Sequence, residues 1–224
     1  MRKIAKINAD DNFESWVTRF CRKSIYLGCA ANQMKILSEC GYNEFIVTNI
    51  SKRITRSFID GISLAVRVTN LPITVTGNIL YEDIISLRDS GVDRVFFGAH
   101  NFEKKRLIET ALNTFGVQSV GASLIIDSHK YHVRKSSGQI IDTIPHTRLL
   151  INPNSCSEIL FHSWHGDGLE NDSKLKVVVK SIVKDKKDLP FLTYGGCPIE
   201  GTDHYIRSIK ASVLNGESLI QPYE

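Results

Sequence analysis

The sequence predicts an α/β protein of the (β/α)8 barrel class, in which eight parallel strands each lead into a helix. Three observations predict it. Buried-type β runs alternate with helical periodicity along the chain, the mark of a parallel sheet covered by helices, and roughly eight such strands can be read. Two segments, Leu71-Pro72-Ile73-Thr74-Val75-Thr76-Gly77-Asn78 and Leu189-Pro190-Phe191-Leu192-Thr193-Tyr194-Gly195-Gly196, repeat one layout 118 residues apart (71 to 189) in a chain of 224. The residues that close the strands are polar or Gly almost throughout, and in a barrel those ends carry the active site. A strand ending in Gly lets the backbone approach a ligand closely, because no Cβ intervenes and positive φ is allowed. The half-chain offset therefore favours a closed barrel of two duplicated halves over its alternative, an open doubly wound sheet.

Lys3 to Asn8 reads as the first strand, followed by the polar loop Ala9-Asp10-Asp11-Asn12. Phe13 to Ile25 is compatible with strand or helix, since so few residues do not define a period. Ala30 to Cys40 has a helical pattern stopped by Gly41, and Phe45 to Ile50 is a strand. Thr55 to Thr69 is a helix that leads into the strand ending at Gly77. Tyr81 to Ser90 is a helix ended by Gly91, Asp93 to Gly98 a strand, and Glu103 to Phe115 a helix. Gln118 to Asp127 is a strongly apolar strand, and the turn-rich segment to Asp142 reads as an inserted hairpin. Thr147 to Ile151 is helical or irregular. Ser157 to His162 is a strand opening into His165-Gly166-Asp167-Gly168, and Ser173 to Val183 is a helix. His204 to Leu214 is expected to be helical and Ser218 to Ile220 to be the last strand, which leaves no room for a closing helix. The barrel is thus expected to lack its last helix. No linker or low-complexity stretch interrupts residues 1–224, so one domain is expected.

Composition narrows the function classes. Hydrophobic content of 42% and charged content of 23% are those of a globular protein able to bury a full core. A net charge of +4 is too mild to argue for nucleic acid and suits an anionic small substrate. The five cysteines form no C-x-x-C pair, which points to free thiols in a reducing compartment and to no metal site. No apolar run approaches the ~18 residues of a membrane span, so no membrane contact is expected and the cytoplasm is the expected location.

The strand ends carry a resemblance. The turn Tyr26-Leu27-Gly28, the strand opening Gly41-Tyr42-Asn43-Glu44-Phe45-Ile46-Val47, and Thr76-Gly77-Asn78-Ile79 with Glu82-Asp83-Ile84 come first. Ser90-Gly91-Val92-Asp93-Arg94-Val95, Phe115-Gly116-Val117-Gln118-Ser119-Val120 and Ile126-Asp127 follow. Glu158-Ile159-Leu160 with Gly166-Asp167-Gly168, then Gly195-Gly196, complete the order. This succession resembles the cyclase-subunit family of imidazole glycerol phosphate synthase, within the histidine-biosynthesis barrels. The resemblance implies a substrate with two phosphates, one held at barrel strands three and four, the other at seven and eight. It also implies ammonia delivered by a glutaminase partner, and two aspartates, on barrel strands one and five, acting as acid and base. Such a pair is needed because one group must give a proton while another takes one near neutral pH. No cofactor is implied.

Carried onto this chain, the resemblance makes Asp127 the strand-five carboxylate, against its other reading as a turn cap. At strand one it falls on Asn8, whose amide is no general base, while Asp10 and Asp11 read as solvated loop acids. His165 stands where the family has a third acid, able to shuttle protons or to be a hydrogen-bonded loop residue. Asn49 likewise replaces an acid on strand two. Gly77 with Asn78, Gly98 with Ala99, and Gly195 with Gly196 are the candidate phosphate loops, where backbone N–H groups can point at an anion. His100 could supply donors beside Ala99. The expected enzyme is an ammonia-using cyclase and lyase on a phosphorylated ribonucleotide, or a diverged relative that amidates a sugar for a surface polysaccharide. Its alternative is a non-catalytic barrel that binds a phosphorylated ligand or scaffolds a glutaminase. An edge left open by the early stop invites association, with that partner or in a homo-oligomer.

Overall fold

The computed structural model describes residues 2–19, 22–135, 139–151, 155–164, 173–183, 189–194 and 204–208. Two compact units divide the chain, one of Met1–Arg94 with Asp203–Glu224 and one of Val95–Thr202.

The first unit opens with β1 (Arg2–Ala9), then β2 (Glu14–Arg19) and β3 (Arg22–Cys29), an antiparallel hairpin over the stretch that periodicity left undecided. Local chemistry decides it. Phe13 takes φ +60 in the tight turn, and Asp10 and Glu14 close that turn through a backbone bond of 3.0 Å. Trp16 packs on Tyr26 across the ribbon, with centroids 5.2 Å apart. The expected turn at Tyr26-Leu27-Gly28 is instead the end of β3, where Gly28 at φ +91 absorbs a shift in register. Beyond it come α1 (Ala30–Glu39), β4 (Glu44–Asn49), α2 (Arg56–Thr69), β5 (Ile73–Gly77) and α3 (Asp83–Asp89). The Thr55 hydroxyl caps α2 by accepting the Phe58 N–H, and Asn70 ends the helix in the left-handed region. Phe58, Ile59, Ile62 and Ala65 give α2 its buried side. Phe13 seats edge-on against Phe58, above Gly61, where a Cβ would lie 2.3 Å from the ring.

The second unit holds β6 (Arg94–Gly98), a 3-10 turn at Ala99–Asn101, α4 (Lys105–Phe115), β7 (Val120–Asp127), β8 (His132–Arg134) and β9 (Ile140–Thr143). It continues with α5 (Ile144–Leu150), β10 (Ile159–Ser163), α6 (Ser173–Val183) and β11 (Phe191–Tyr194). The inserted hairpin is present as β8 and β9. The weakly defined helix begins earlier than expected because Thr143 caps it and a proline occupies its first turn. One core layer joins Ala122, Leu124, Ile126, Ile159 and Phe161 to Leu175, Val178, Val179 and Ile182 of α6. Alternation along the strands then turns Ser123, Ile125, Asp127 and His162 to the other face of the sheet.

Residues His204–Ser208, expected to start a helix, form β12 instead, which returns to the first unit and pairs in parallel with β1. Tyr and Ile suit a pleated surface, and the free edge of β1 offers five residues of ladder that a local helix could not satisfy. Residues 209–214, the candidate strand at Ser218–Ile220 and the missing final helix lie outside the described residues. Four parallel neighbours, β12-β1-β4-β5, thus stand in one unit and four, β6-β7-β10-β11, in the other. Among the described residues, eight parallel strands with helices between them make this an α/β protein of the (β/α)8 class.

The internal repeat extends to hydrogen bonds. The Phe45 N–H donates to the Pro72 carbonyl and the Ile159 N–H to the Pro190 carbonyl, both at 3.0 Å. The Asn43 N–H donates to the Lys3 carbonyl at 2.8 Å, as the Ser157 N–H does to that of Val120 at 2.7 Å. Ala5 faces Phe45 as Ala122 faces Ile159, so Asp10 and Asp127, each five residues further on, hold equivalent places in their units. At the opposite end of the first unit's sheet, Glu44 is buried between two guanidiniums, with Arg2 on Oε2 and Arg94 on Oε1, each at 2.6 Å. In a barrel, that end of the strands serves stability.

Candidate active site

Each unit places its candidate residues at the C-terminal ends of its strands. In the first, Ala9, Asn49 and Gly77 lie in one row across β1, β4 and β5, and Asn8, Thr48 and Thr76 in the row before. Gly77 takes φ +111, and a Cβ there would sit 2.3 Å from the Asn49 carbonyl oxygen, so only Gly fits. The loops beyond are laced by amides. Asn49 donates to the Asn78 carbonyl at 3.3 Å and accepts the Ser51 N–H at 3.0 Å, while Asn78 donates to the Ser51 carbonyl at 2.9 Å. The side chains of Asn49 and Asn78 thus shape this rim, and the Gly77-Asn78 backbone is what it presents.

Asn8 accepts a hydrogen bond from the Lys6 ammonium at 3.2 Å, on the same side of β1. Lys6 is buried, and it shares its face with Thr48 and Thr74, whose hydroxyls are buried with no hydrogen-bond partner among the described residues. Asp10 departs from the expected solvated acid: it is 4% exposed. Its Oδ1 accepts the N–H groups of Asn12 and Glu14 at 3.1 and 3.0 Å, and its Oδ2 accepts the Trp16 indole N–H at 2.9 Å. A short hairpin leaves backbone donors unpaired near its turn, and a carboxylate satisfies two at once.

In the second unit Asp127 ends β7 and is 1% exposed. Its Oδ2 accepts from Arg134 through Nε at 2.9 Å and the terminal guanidinium nitrogen at 2.6 Å, and its Oδ1 accepts the Lys130 N–H at 3.1 Å. The Arg134 guanidinium stacks over the Trp164 ring, 5.1 Å from its centroid. This repeats Asp10: a buried carboxylate at the end of each unit's equivalent strand pins the antiparallel hairpin that follows. His132 stands directly across from Asp127 in the ladder, and its Nδ1 is buried without a partner among the described residues. These residues alternate on β8, a two-residue period that puts His132 and Arg134 on the Asp127 face. That spacing was readable in the sequence; the stacking of Arg134 on Trp164 was not.

Gly98 closes β6 with φ −65, so no special backbone conformation needs Gly there. What needs it is the His100 ring, whose Cε1 and Nδ1 would lie 3.1 Å from a Cβ. Ala99 points into the helix-side core, leaving its backbone to face any ligand. His100 is held below the usual imidazole pKa, first by burial, then by the charges of Lys135 and Lys104. A lowered folded-state pKa means that the unfolded chain binds the proton more readily. The His100 contribution is therefore intact above pH ~6.5 and is lost as the pH falls through that value. His100→Gln is expected to flatten the acid side of a Tm-against-pH curve below pH ~6.5 and leave it unchanged at pH 8.

His165, Gly195 and Gly196 lie outside the described residues. The structure places Asn8, Asn49, Gly77 and Asn78 at the strand ends of one unit, and Gly98, Ala99 and Asp127 at those of the other. Among the described residues Cys29, Cys40 and Cys156 are not disulfide-bonded, and no group of His, Cys, Asp or Glu could hold a metal. No helix among them is long and apolar enough to cross a membrane.

Comparison with known proteins adds to this geometry. The family model described as "Histidine biosynthesis protein" matches residues 18–219. A relative named "Imidazole glycerol phosphate synthase subunit HisF" from Exiguobacterium sp. (strain ATCC BAA-1283 / AT1b) is 24% identical over 193 residues, 81% of this chain and 75% of the relative. Proteins of the same name from Bacillus cereus strains G9842 and Q1 are each 22% identical, covering 80% of this chain and 72% and 73% of their own lengths.

Proposed function

Because the chain belongs to the histidine biosynthesis protein family, we propose that it acts as a cyclase-subunit-like enzyme, using ammonia from a glutaminase partner on a phosphorylated ribonucleotide. The observation that carries this reading is Asp127: a buried carboxylate at the C-terminal end of a parallel strand, oriented on both oxygens. A carboxylate fixed in that way can stabilise positive charge or take up a proton with little rearrangement. The Gly77-Asn78, Gly98-Ala99 and Gly195-Gly196 backbones hold the phosphates, with His100 and Lys104 as neighbouring donors. His165 is a further proton carrier.

The test is turnover of a two-phosphate ribonucleotide by the purified chain with ammonium salts, then with a candidate glutaminase and glutamine. Wild type is expected to turn over with ammonia alone. Asp127→Asn keeps the shape and removes the charge, and kcat is expected to fall about 10²–10⁴-fold. Equal rates for the two proteins would remove Asp127 from the chemistry.

One observation favours a second reading, a barrel that binds a phosphorylated ligand or scaffolds a glutaminase without catalysis. Asp10, which holds the place equivalent to Asp127, has its carboxylate engaged by its own hairpin, accepting the Asn12 and Glu14 N–H groups and the Trp16 indole N–H. Ligand binding with no turnover under any nitrogen source is the result that selects it.

A further inference from the structure

Lys6, Asn8, Thr48 and Thr74 stand on one face of the first unit's sheet. In register, Lys6 lies beside Ile46 and Ile46 beside Thr74, while Asn8, Thr48 and Thr76 form the next row on that face. Two of these groups are out of the ordinary. The Thr48 and Thr74 hydroxyls are buried with no hydrogen-bond partner among the described residues, and Thr74 is 0% exposed. A buried hydroxyl is normally satisfied, and leaving one unpaired is costly. Each has a proton to donate and lacks an acceptor for it. We propose that Lys6, Asn8, Thr48 and Thr74 form a binding site for a carboxylate, brought by a ligand that enters from the C-terminal end of β1.

Three features select that chemistry. The first is charge. Lys6 is buried, and its bond of 3.2 Å to the Asn8 side-chain oxygen holds the ammonium at the level of the Asn8–Thr48 row. Adjacent strands lie about 4.8 Å apart, so an oxygen placed on that ammonium comes within reach of Thr48. A cation and hydroxyl donors around one point favour an anion. The second is that this unit's own acids at this sheet are committed elsewhere. Glu44, on the same face, bonds Arg2 and Arg94, and Asp10 takes the N–H groups of its own hairpin. The acceptor that the two hydroxyls lack is therefore left to a ligand.

The third feature is shape. A carboxylate brings two oxygens and one charge, which match two hydroxyls and one ammonium. A phosphate is better suited to the backbone N–H groups of the Gly77-Asn78 rim. Asn8 is only half-buried, so the patch meets solvent where β1 ends. The site is argued from binding groups alone and stands without the cyclase reading. Where both hold, the substrate class narrows to a phosphorylated compound that also carries a carboxylate.

The experiment titrates sodium acetate into the full chain at neutral pH, with sodium chloride at the same ionic strength as reference, and follows the amide NMR signals of Asn8 and Thr48. Wild type is expected to bind acetate saturably. Thr48→Val and Thr74→Val each remove a hydroxyl with little change of shape and should weaken binding about tenfold or more, while Lys6→Met should abolish it. Acetate should raise the Tm of wild type and leave that of Lys6→Met unchanged. Without acetate, Thr74→Val is expected to melt no lower than wild type, since the lost hydroxyl has no partner to give up. Saturating inorganic phosphate should leave the acetate affinity unchanged.

Acetate bound no better than chloride overturns the proposal. So does equal affinity in wild type and both Thr variants, or displacement by phosphate, which would put the acetate at the glycine rim. A Thr74→Val clearly less stable than wild type without ligand makes the hydroxyl structural and overturns it as well. If Lys6→Met does not fold, the two Thr variants decide. Acetate binding without turnover sets aside the cyclase reading alone, and turnover without acetate binding sets aside this proposal alone.

Discussion

Asp127→Ala is expected to cost about 3–5 kcal/mol, the usual penalty for removing one partner of a buried ion pair. The loss comes from what remains. Arg134 has a side chain only 13% exposed, and Asp127→Ala takes from its buried guanidinium, held under Trp164, the carboxylate that accepts two of its hydrogen bonds. The Lys130 N–H loses its acceptor as well. Replacing both partners with apolar residues should be milder, because a buried pair spends most of its Coulomb gain on desolvation. Asp127→Leu combined with Arg134→Met is therefore expected to be more stable than Asp127→Ala alone. Urea unfolding of Asp127→Leu, Arg134→Met and the double variant gives the coupling energy. Additive single effects would show that the two side chains are independent.

Gly77→Ala is the second large effect, about 3 kcal/mol or more. Holding Ala at φ +111 costs on the order of 1–3 kcal/mol. Forcing its Cβ against the Asn49 carbonyl adds about 1–3 more by overpacking. The Asn49 oxygen belongs to a strand ladder and cannot swing away as a flexible side chain would. Gly91→Ala is the internal comparison. It has a similar φ of +92, but its new Cβ would meet only Val66 methyls at 3.1 Å, so a smaller loss is expected. If the Gly77-Asn78 rim holds a phosphate, Gly77→Ala should also weaken binding of inorganic phosphate by tenfold or more, while Gly91→Ala should leave it unchanged. Thermal unfolding and calorimetric phosphate titration of both variants check the two claims. Equal stability losses would mean that φ, rather than the contact with Asn49, sets the cost.

The strands and most helices were legible because their signal is local. Ile73 to Gly77 and Val120 to Asp127 are runs that only a buried strand accommodates, and Gly41 and Gly91 stop their helices at positive φ. Two elements were misread or left open for one reason. Whether Phe13 to Ile25 becomes a ribbon depends on a turn at Phe13 and on the buried Asp10 beneath it. Whether His204–Ser208 is a strand depends on the vacant side of β1, almost two hundred residues away in sequence. Neither appears in a window of ten residues.

The amino-acid order by itself determined where strands alternate with helices, that the layout repeats after half the chain, and that Asp127 and Gly77 stand at strand ends. Periodicity and φ preference are properties of neighbouring residues, so they survive in one dimension. Tertiary structure alone decided that Asp10 and Asp127 occupy equivalent buried posts and that Arg134 and Trp164 close around one of them. Burial and ion pairing are set by what the folded chain brings alongside, and the desolvation that makes such contacts matter exists only once it has folded.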